Sequence, residues 1–95
     1  MANPVVVSCP IKTWTKVVDN KTVGWIYLQS TFFDADTAYF TFVDTGETGP
    51  SIDPGATGHA AVPMESQSLP FNSSDAIDIY LWPNQEDITV LVSAI

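Results

Sequence analysis

The fold is decided by the stretch Ala76-Ile77-Asp78-Ile79-Tyr80-Leu81-Trp82, in which apolar residues alternate with polar or aromatic ones. Pro83-Asn84-Gln85-Glu86 interrupts it, and Asp87-Ile88-Thr89-Val90-Leu91-Val92-Ser93-Ala94-Ile95 then runs largely apolar to the last residue. A period of two, rich in β-branched and aromatic residues, indicates strands, and the Pro-Asn step predicts a β-hairpin between them. We expect Ile77, Ile79 and Leu81 to face the core, and the last strand to be tied into a sheet.

Outward from this stretch, short apolar runs are separated by prolines and glycines, and helical periodicity is nowhere sustained. Strands are predicted over residues 4–8, 11–18, 23–29, 38–43 and 59–64. A turn is predicted over 19–21, the longest loop over 45–58 and an extended connector over 66–71. These patterns predict an all-β fold, a small antiparallel β-sandwich or partly closed barrel of about 6–8 strands without substantial helix.

The length of 95 residues predicts a single β domain over residues 1–95, in which residues 1–8 form an extended N-terminal arm or an edge strand. Pro4 at the start of the first strand favours an edge position. The single cysteine, Cys9, has no partner for an internal disulfide, so we expect a core or edge residue in a reducing compartment. The chain shows no secretory signal and no apolar run long enough to cross a membrane, which predicts synthesis in the cytoplasm and no membrane partner.

The charge is unevenly distributed along the chain. Residues 1–21 carry all three lysines and one aspartate, whereas residues 22–95 carry ten acids and no base, for a net charge of −8. A field of that sign repels nucleic acid, and the absence of arginine removes the usual fork for phosphate, so no nucleic-acid partner is expected. The acidity favours solubility; the alternative is that it turns the N-terminal part towards an acidic partner.

The sharpest catalytic motif is Asp44-Thr45-Gly46 after an apolar strand, the pattern of a dimeric aspartic protease. Such enzymes also need a later apolar-apolar-Gly segment, and no glycine follows Gly58. We therefore expect a strand-terminating turn here and no enzyme, with the protease as a remote alternative.

Metal and ligand motifs are incomplete. Asp34, Asp36 and Thr37 lack the glycine and distal glutamate of a calcium loop, and His59 with Cys9 supplies too few ligands for structural zinc. No metal and no cofactor are therefore expected. The tryptophans and tyrosines are compatible with a sugar platform, and Tyr80 and Trp82 on the face opposite the core are the strongest candidates for one.

The chain as a whole resembles small tailed-bacteriophage virion proteins of the head decoration, or cement, type. The stretches that carry the resemblance are Thr13-Trp14-Thr15-Lys16-Val17, Val23-Gly24-Trp25-Ile26-Tyr27, Tyr39-Phe40-Thr41-Phe42-Val43-Asp44-Thr45-Gly46, Ser73-Ser74-Asp75-Ala76-Ile77-Asp78-Ile79-Tyr80 and the terminal apolar strand. They span most of the chain. The resemblance implies a compact β domain without chemistry of its own that coats or joins parts of a virion assembled in the host cytoplasm.

For function, the resemblance implies a capsid decoration protein that binds the assembled head shell, with the phage major capsid protein or another virion protein as partner. Copies of such a protein form a homo-oligomer, for which a three-fold axis is a natural arrangement. The alternative is a tail or surface carbohydrate-binding module. The expected interface residues are in the N-terminal strand, the lysine-bearing segment and the aromatic face: Pro4, Val5, Val6, Val7, Lys12, Lys16, Tyr80 and Trp82.

Overall fold

The fold of this chain is given by a computed structural model, which describes residues 4–29, 33–34, 37–49 and 62–95. These residues form six strands in one antiparallel sheet and no helix, so the predicted all-β class is confirmed. The strands are β1 (Val5–Cys9), β2 (Thr15–Gln29), β3 (Ala38–Asp44), β4 (Val62–Pro63), β5 (Ser68–Pro83) and β6 (Ile88–Ala94). Within these described ranges, no helix is present that could cross a membrane.

The strand order is β1-β6-β2-β5-β3-β4, which leaves β1 and β4 as the two edges of an unclosed sheet. The predicted hairpin between β5 and β6 is wrong, because β2 lies between them and pairs with both. The loop after β5 is held by other parts of the chain: the Lys12 N–H donates to the Pro83 carbonyl at 2.7 Å, and the Asn84 N–H donates to the Thr37 carbonyl at 2.9 Å. These hydrogen bonds hold the loop where the chain passes β2 to reach β6, which lies on the other side of β2 from β5.

β2 and β5 are much longer than ordinary strands and organise the fold. The N-terminal half of β2 pairs with the C-terminal half of β5, and its C-terminal half, from Gly24 on, pairs with both β5 and β6. Register shifts interrupt the β2–β5 pairing between Lys16 and Val23, and Asn20 there has a φ of 58°. Bulges of this kind bend a strand and increase its twist. The predicted turn at 19–21 is therefore wrong, because the segment bends one continuous strand.

Among the described residues, one hydrophobic core lies on one side of the bent sheet. Its buried members are Cys9, Val17, Val18, Ile26, Leu28, Ala38, Met64, Phe71, Ile77, Ile79, Leu81, Ile88, Val90 and Val92. The predicted inward positions Ile77, Ile79 and Leu81 are at most 7% exposed, which confirms that face. Gly24 permits close approach of β2 to β6, because a Cβ there would overlap the Ser93 carbonyl oxygen. The final residue is tied in, since the Ile95 N–H donates to the Val23 carbonyl at 2.9 Å.

Candidate interaction surface

On the side of the sheet opposite the core, one half is turned to solvent and carries no charge. Because side chains alternate across a strand, every second residue of β1, β6 and the paired halves of β2 and β5 lies on the side opposite the core. We call these twelve residues the neutral face: Val6, Ser8, Val23, Trp25, Tyr27, Gln29, Ser68, Pro70, Asn72, Thr89, Leu91 and Ser93. All of them are exposed or half-buried, and none is an aspartate, glutamate, lysine, arginine or histidine.

The neutral face has an apolar centre. Tyr27 pairs with Leu91, which pairs in turn with Val6, so these three side chains form a row across three strands. Trp25 is the next outward residue on β2 and pairs with Pro70. The exposed fractions are 62% for Val6, 40% for Tyr27 and 37% for Trp25. Aromatic residues that keep this much exposed surface are typical of the centre of a binding interface.

The absence of charge is unusual for a chain with eleven acids and three lysines. Charged residues are depleted at the centre of protein interfaces because each must be desolvated or paired there. Four strands at ordinary spacing, with two to four outward positions each, cover roughly 400 Å² of flat area. A contact of that size is smaller than that of an ordinary stable pair of proteins, which buries about 800 Å² on each partner. The neutral face therefore suits a partner that presents the same site at many equivalent positions.

The predicted interface residue Lys16 belongs to a polar cluster on the other half of the sheet. Its ammonium lies 3.5 Å from Asp78 and 3.6 Å from Asp19, and 5.7 Å from the centre of the Tyr80 ring. Asp78 also accepts hydrogen bonds from the Asn20 N–H and the Thr45 hydroxyl, both at 2.9 Å. The cluster joins β2, β5 and the turn after β3, so Lys16 serves the fold.

The electrostatics of this cluster favour the charged forms. Burial alone would raise the pKa of Asp78, but the hydrogen bonds from Asn20 and Thr45 and the charge of Lys16 outweigh it and hold the pKa below its ordinary value of 3.8. Desolvation alone would lower the pKa of Lys16, yet Asp78, Tyr80 and Asp19 raise it above 10.5. The pair is therefore ionised across the neutral pH range.

The aromatic face expected around Tyr80 and Trp82 is covered within the chain. Trp82 is 7% exposed and lies against Trp14, with ring centroids 5.5 Å apart at 58°. Tyr80 is half-buried, and a Cβ on Gly49 would overlap its ring, so the turn after β3 passes directly over it. These contacts leave little of Trp82 for a sugar or a protein partner.

The N-terminal candidates lie on or beside the first strand. Pro4 is exposed, and β1 begins after it at the edge of the sheet. Val5 and Val6 are 60% and 62% exposed, whereas Val7 packs against the core. Lys12 is exposed in the turn between β1 and β2, with a φ of 53°.

The Asp44-Thr45-Gly46 motif forms a turn at the end of β3. Asp44 is exposed, and its carbonyl accepts the Glu47 N–H at 3.0 Å. Gly46 has a φ of 98°, a conformation that favours glycine. The Thr45 hydroxyl is committed to Asp78. The sequence-predicted strand-terminating turn is present, closed by a backbone hydrogen bond.

At the acidic motif, the Asp34 N–H donates to the Thr37 hydroxyl at 2.8 Å. Asp36 and His59 lie outside the described residues. Among the residues that the structure describes, no three acidic, histidine or cysteine side chains come together as a metal site. Cys9 is buried at 1% exposure, as expected of a core residue.

Comparison with known proteins adds no relative: the chain matches no protein-family model, no curated protein and no solved structure. The interaction surface is therefore defined by its own geometry. The sequence prediction counted Trp25 and Tyr27 among the aromatic residues of a possible sugar platform but chose Tyr80 and Trp82 as the interface candidates. In Val23-Gly24-Trp25-Ile26-Tyr27-Leu28, the aromatic residues occupy one strand face and the aliphatic Ile26 and Leu28 the other, with no charge on either.

Proposed function

We propose that this chain is a structural virion protein of a bacteriophage, a capsid decoration protein that binds the assembled head shell through its neutral face. The observation that carries the proposal is the neutral face itself, an uncharged and partly aromatic surface on a chain with a net charge of −8. The partner is the major capsid protein or another virion protein.

Repetition of the binding site on the shell compensates for the small size of each contact. A small apolar contact gives modest affinity on its own, but a head shell presents the same site many times. Binding to that site stabilises the shell by mass action, because a ligand that binds only the assembled state favours assembly. The acidic remainder of the surface limits contact through other faces.

The test compares two variants that each place a charge on a side chain of equal exposure. Tyr27 lies on the neutral face and Ile11 lies in the turn after β1, and each is 40% exposed. Heads of the phage that encodes the chain, prepared without it, are mixed with the unmodified protein, Tyr27→Glu or Ile11→Glu, and bound protein is measured by co-sedimentation. We expect the unmodified protein and Ile11→Glu to bind and to raise the temperature at which the heads break, and Tyr27→Glu to do neither.

Absence of binding by the unmodified protein would overturn the proposal. Binding by Tyr27→Glu as strong as that of the unmodified protein would show that another surface contacts the shell. Circular dichroism of each variant confirms that the sheet is intact before the comparison is made.

A carbohydrate-binding module of the tail or virion surface is the second candidate, and the exposed pair Trp25 and Tyr27 favours it. Adjacent aromatic rings on one strand face stack on the apolar faces of sugars. A glycan array probed with the unmodified protein and with Trp25→Ala tests it. Specific signals that disappear with Trp25→Ala support a sugar site, and an array without signals removes this candidate.

A further inference from the structure

The β1 edge of the sheet lacks the devices that normally protect an edge strand. Natural edges carry a lysine, an inward charge, a proline or a bulge that blocks pairing with another chain. β1 has none of these between Val5 and Cys9, and its pairing with β6 is uninterrupted over all five residues. Val5 and Val6 are 60% and 62% exposed. Among the residues that the structure describes, no strand pairs with the outer side of β1, so this edge is a template for one more strand.

The sequence of β1 is suited to pairing with itself. Pro4 and Pro10 flank the strand at equal distances from Val7. In an antiparallel pair centred on Val7, Val5 lies opposite the second copy's Cys9, and the flanking prolines, which have no N–H, meet beyond the last paired residues. Residues that face the core side of the sheet in one copy then pair with residues that face the core side in the other copy. A two-fold axis through Val7 therefore continues the sheet so that the cores of both copies lie on the same side of it.

Charge also favours a second copy at this edge. Neither β1 nor its neighbour β6 contains an ionisable side chain except the Cys9 thiol, which is buried. Two chains of net charge −8 repel each other, and contact through acidic surface places like charges together. Pairing along β1 instead brings together two strands without charge.

The other edge of the described sheet argues against the three-fold arrangement. A ring built by edge pairing must join two different edges, β1 of one copy and β4 of the next. The described part of β4 has two residues, Val62 and Pro63, and the proline has no N–H to donate. Self-pairing along β1 joins five residues in each chain.

From these observations we infer that two copies of this chain pair antiparallel along β1 across a two-fold axis at Val7, which joins their sheets into one. This inference is independent of the proposed virion role, because head binding and dimer formation are measured separately and either can fail alone. It goes beyond that role because the β1 edge binds a second copy of the chain, whereas the neutral face binds the virion partner.

The test is sedimentation equilibrium of the purified protein from micromolar to millimolar concentration. We expect a monomer–dimer equilibrium that shifts towards dimer as salt screens the repulsion between the acidic chains. Val6→Glu, which places a carboxylate beside the second copy, is expected to give monomer. Leu91→Glu is the matched control, because Leu91 pairs with Val6 on the same face but lies one strand away from the edge.

A protein that stays monomeric over this range overturns the inference, and so does a dimer that Leu91→Glu dissociates, since that result indicates face-to-face packing. Amide hydrogen exchange on the unmodified protein gives a second readout that needs no variant to fold. Amides of β1 that point away from β6 are expected to become protected as the concentration rises. Constant exchange in β1 while the protein dimerises also overturns the inference.

Discussion

Asp78 and Asn20, which lie 58 positions apart in the chain, are joined by a hydrogen bond of 2.9 Å from the Asn20 N–H to the Asp78 carboxylate. Asn20 sits in the bulged part of β2 with a φ of 58°, a conformation that asparagine tolerates better than most residues. The same carboxylate accepts the Thr45 hydroxyl and faces Lys16. Asp78 therefore fixes the bend in β2 to β5 and to the turn after β3.

Replacement of Asp78 by alanine is expected to destabilise the protein by about 2–3 kcal/mol. The change leaves the Asn20 N–H and the Thr45 hydroxyl without their acceptor, and each lost partner of a part-buried group destabilises the fold. The measurement is chemical denaturation followed by tryptophan fluorescence. Asp19→Ala is the control, because Asp19 also faces Lys16 but its side chain is 73% exposed, and we expect a change of under about 0.5 kcal/mol. Equal losses in the two variants would contradict the structural role of Asp78.

Acid is expected to destabilise the protein through the same carboxylate. The pKa of Asp78 is lower in the folded protein than its ordinary value of 3.8, so the folded state binds this proton less readily than the unfolded state. The stabilisation is fully present above 3.8 and is lost as the pH falls through the lower folded value. Melting temperatures measured from neutral pH to below 3 should fall less steeply for Asp78→Asn than for the unmodified protein. Parallel curves for the two would contradict this assignment.

The sequence predicted which residues form strands better than it predicted which strands lie next to each other in the sheet. The alternation in β5 predicted its buried face, because a residue's side of a strand depends only on local periodicity. The partner of that strand was mispredicted, because the Pro-Asn step signals a break in the strand and does not say which strand comes next in space. Lys12 and Thr37, which hold the loop after β5, are distant in sequence and carry no local signal.

The turn prediction at 19–21 was right about local conformation and wrong about direction. Asn20 does adopt a left-handed conformation, as turn residues do. The chain nevertheless continues in the same strand, because Asp78 accepts the Asn20 N–H and holds the bulge against β5. A residue 58 positions away thus decides whether a turn signal reverses the chain or bends it.

The candidate surface was harder to predict than the fold. Trp82 and Trp25 both alternate with aliphatic neighbours, so their sequence contexts look alike. They differ because Trp14 covers Trp82, whereas nothing in the described chain buries Trp25 to the same extent. Coverage by a distant loop is a property of tertiary structure that alternation does not contain.

Cys9 is expected to be unreactive in the folded protein. Its side chain is 1% exposed, and burial raises the pKa of the thiol from 9.0 to about 11, against a smaller opposing effect of its hydrogen bond with Thr15. The thiolate is the reactive form, so little of it exists near pH 8. Labelling by a thiol reagent should be slow without denaturant and fast in urea, with a rate that follows unfolding. Rapid labelling of the native protein would show that β1 detaches from the core.

Trp82 and Trp25 lie in different halves of the same side of the sheet, away from the core, and are expected to play different parts. Trp82 is 7% exposed and packs on Trp14, so Trp82→Ala removes a large buried side chain and should destabilise the protein by about 3 kcal/mol. Trp25 is 37% exposed, and Trp25→Ala should change the free energy of unfolding by about 1 kcal/mol or less. Acrylamide quenching adds a readout of position: the fluorescence lost in Trp25→Ala should be the readily quenched component. If Trp82→Ala removes that component instead, the face around Tyr80 and Trp82 is open in solution and the neutral face is not the exposed aromatic surface.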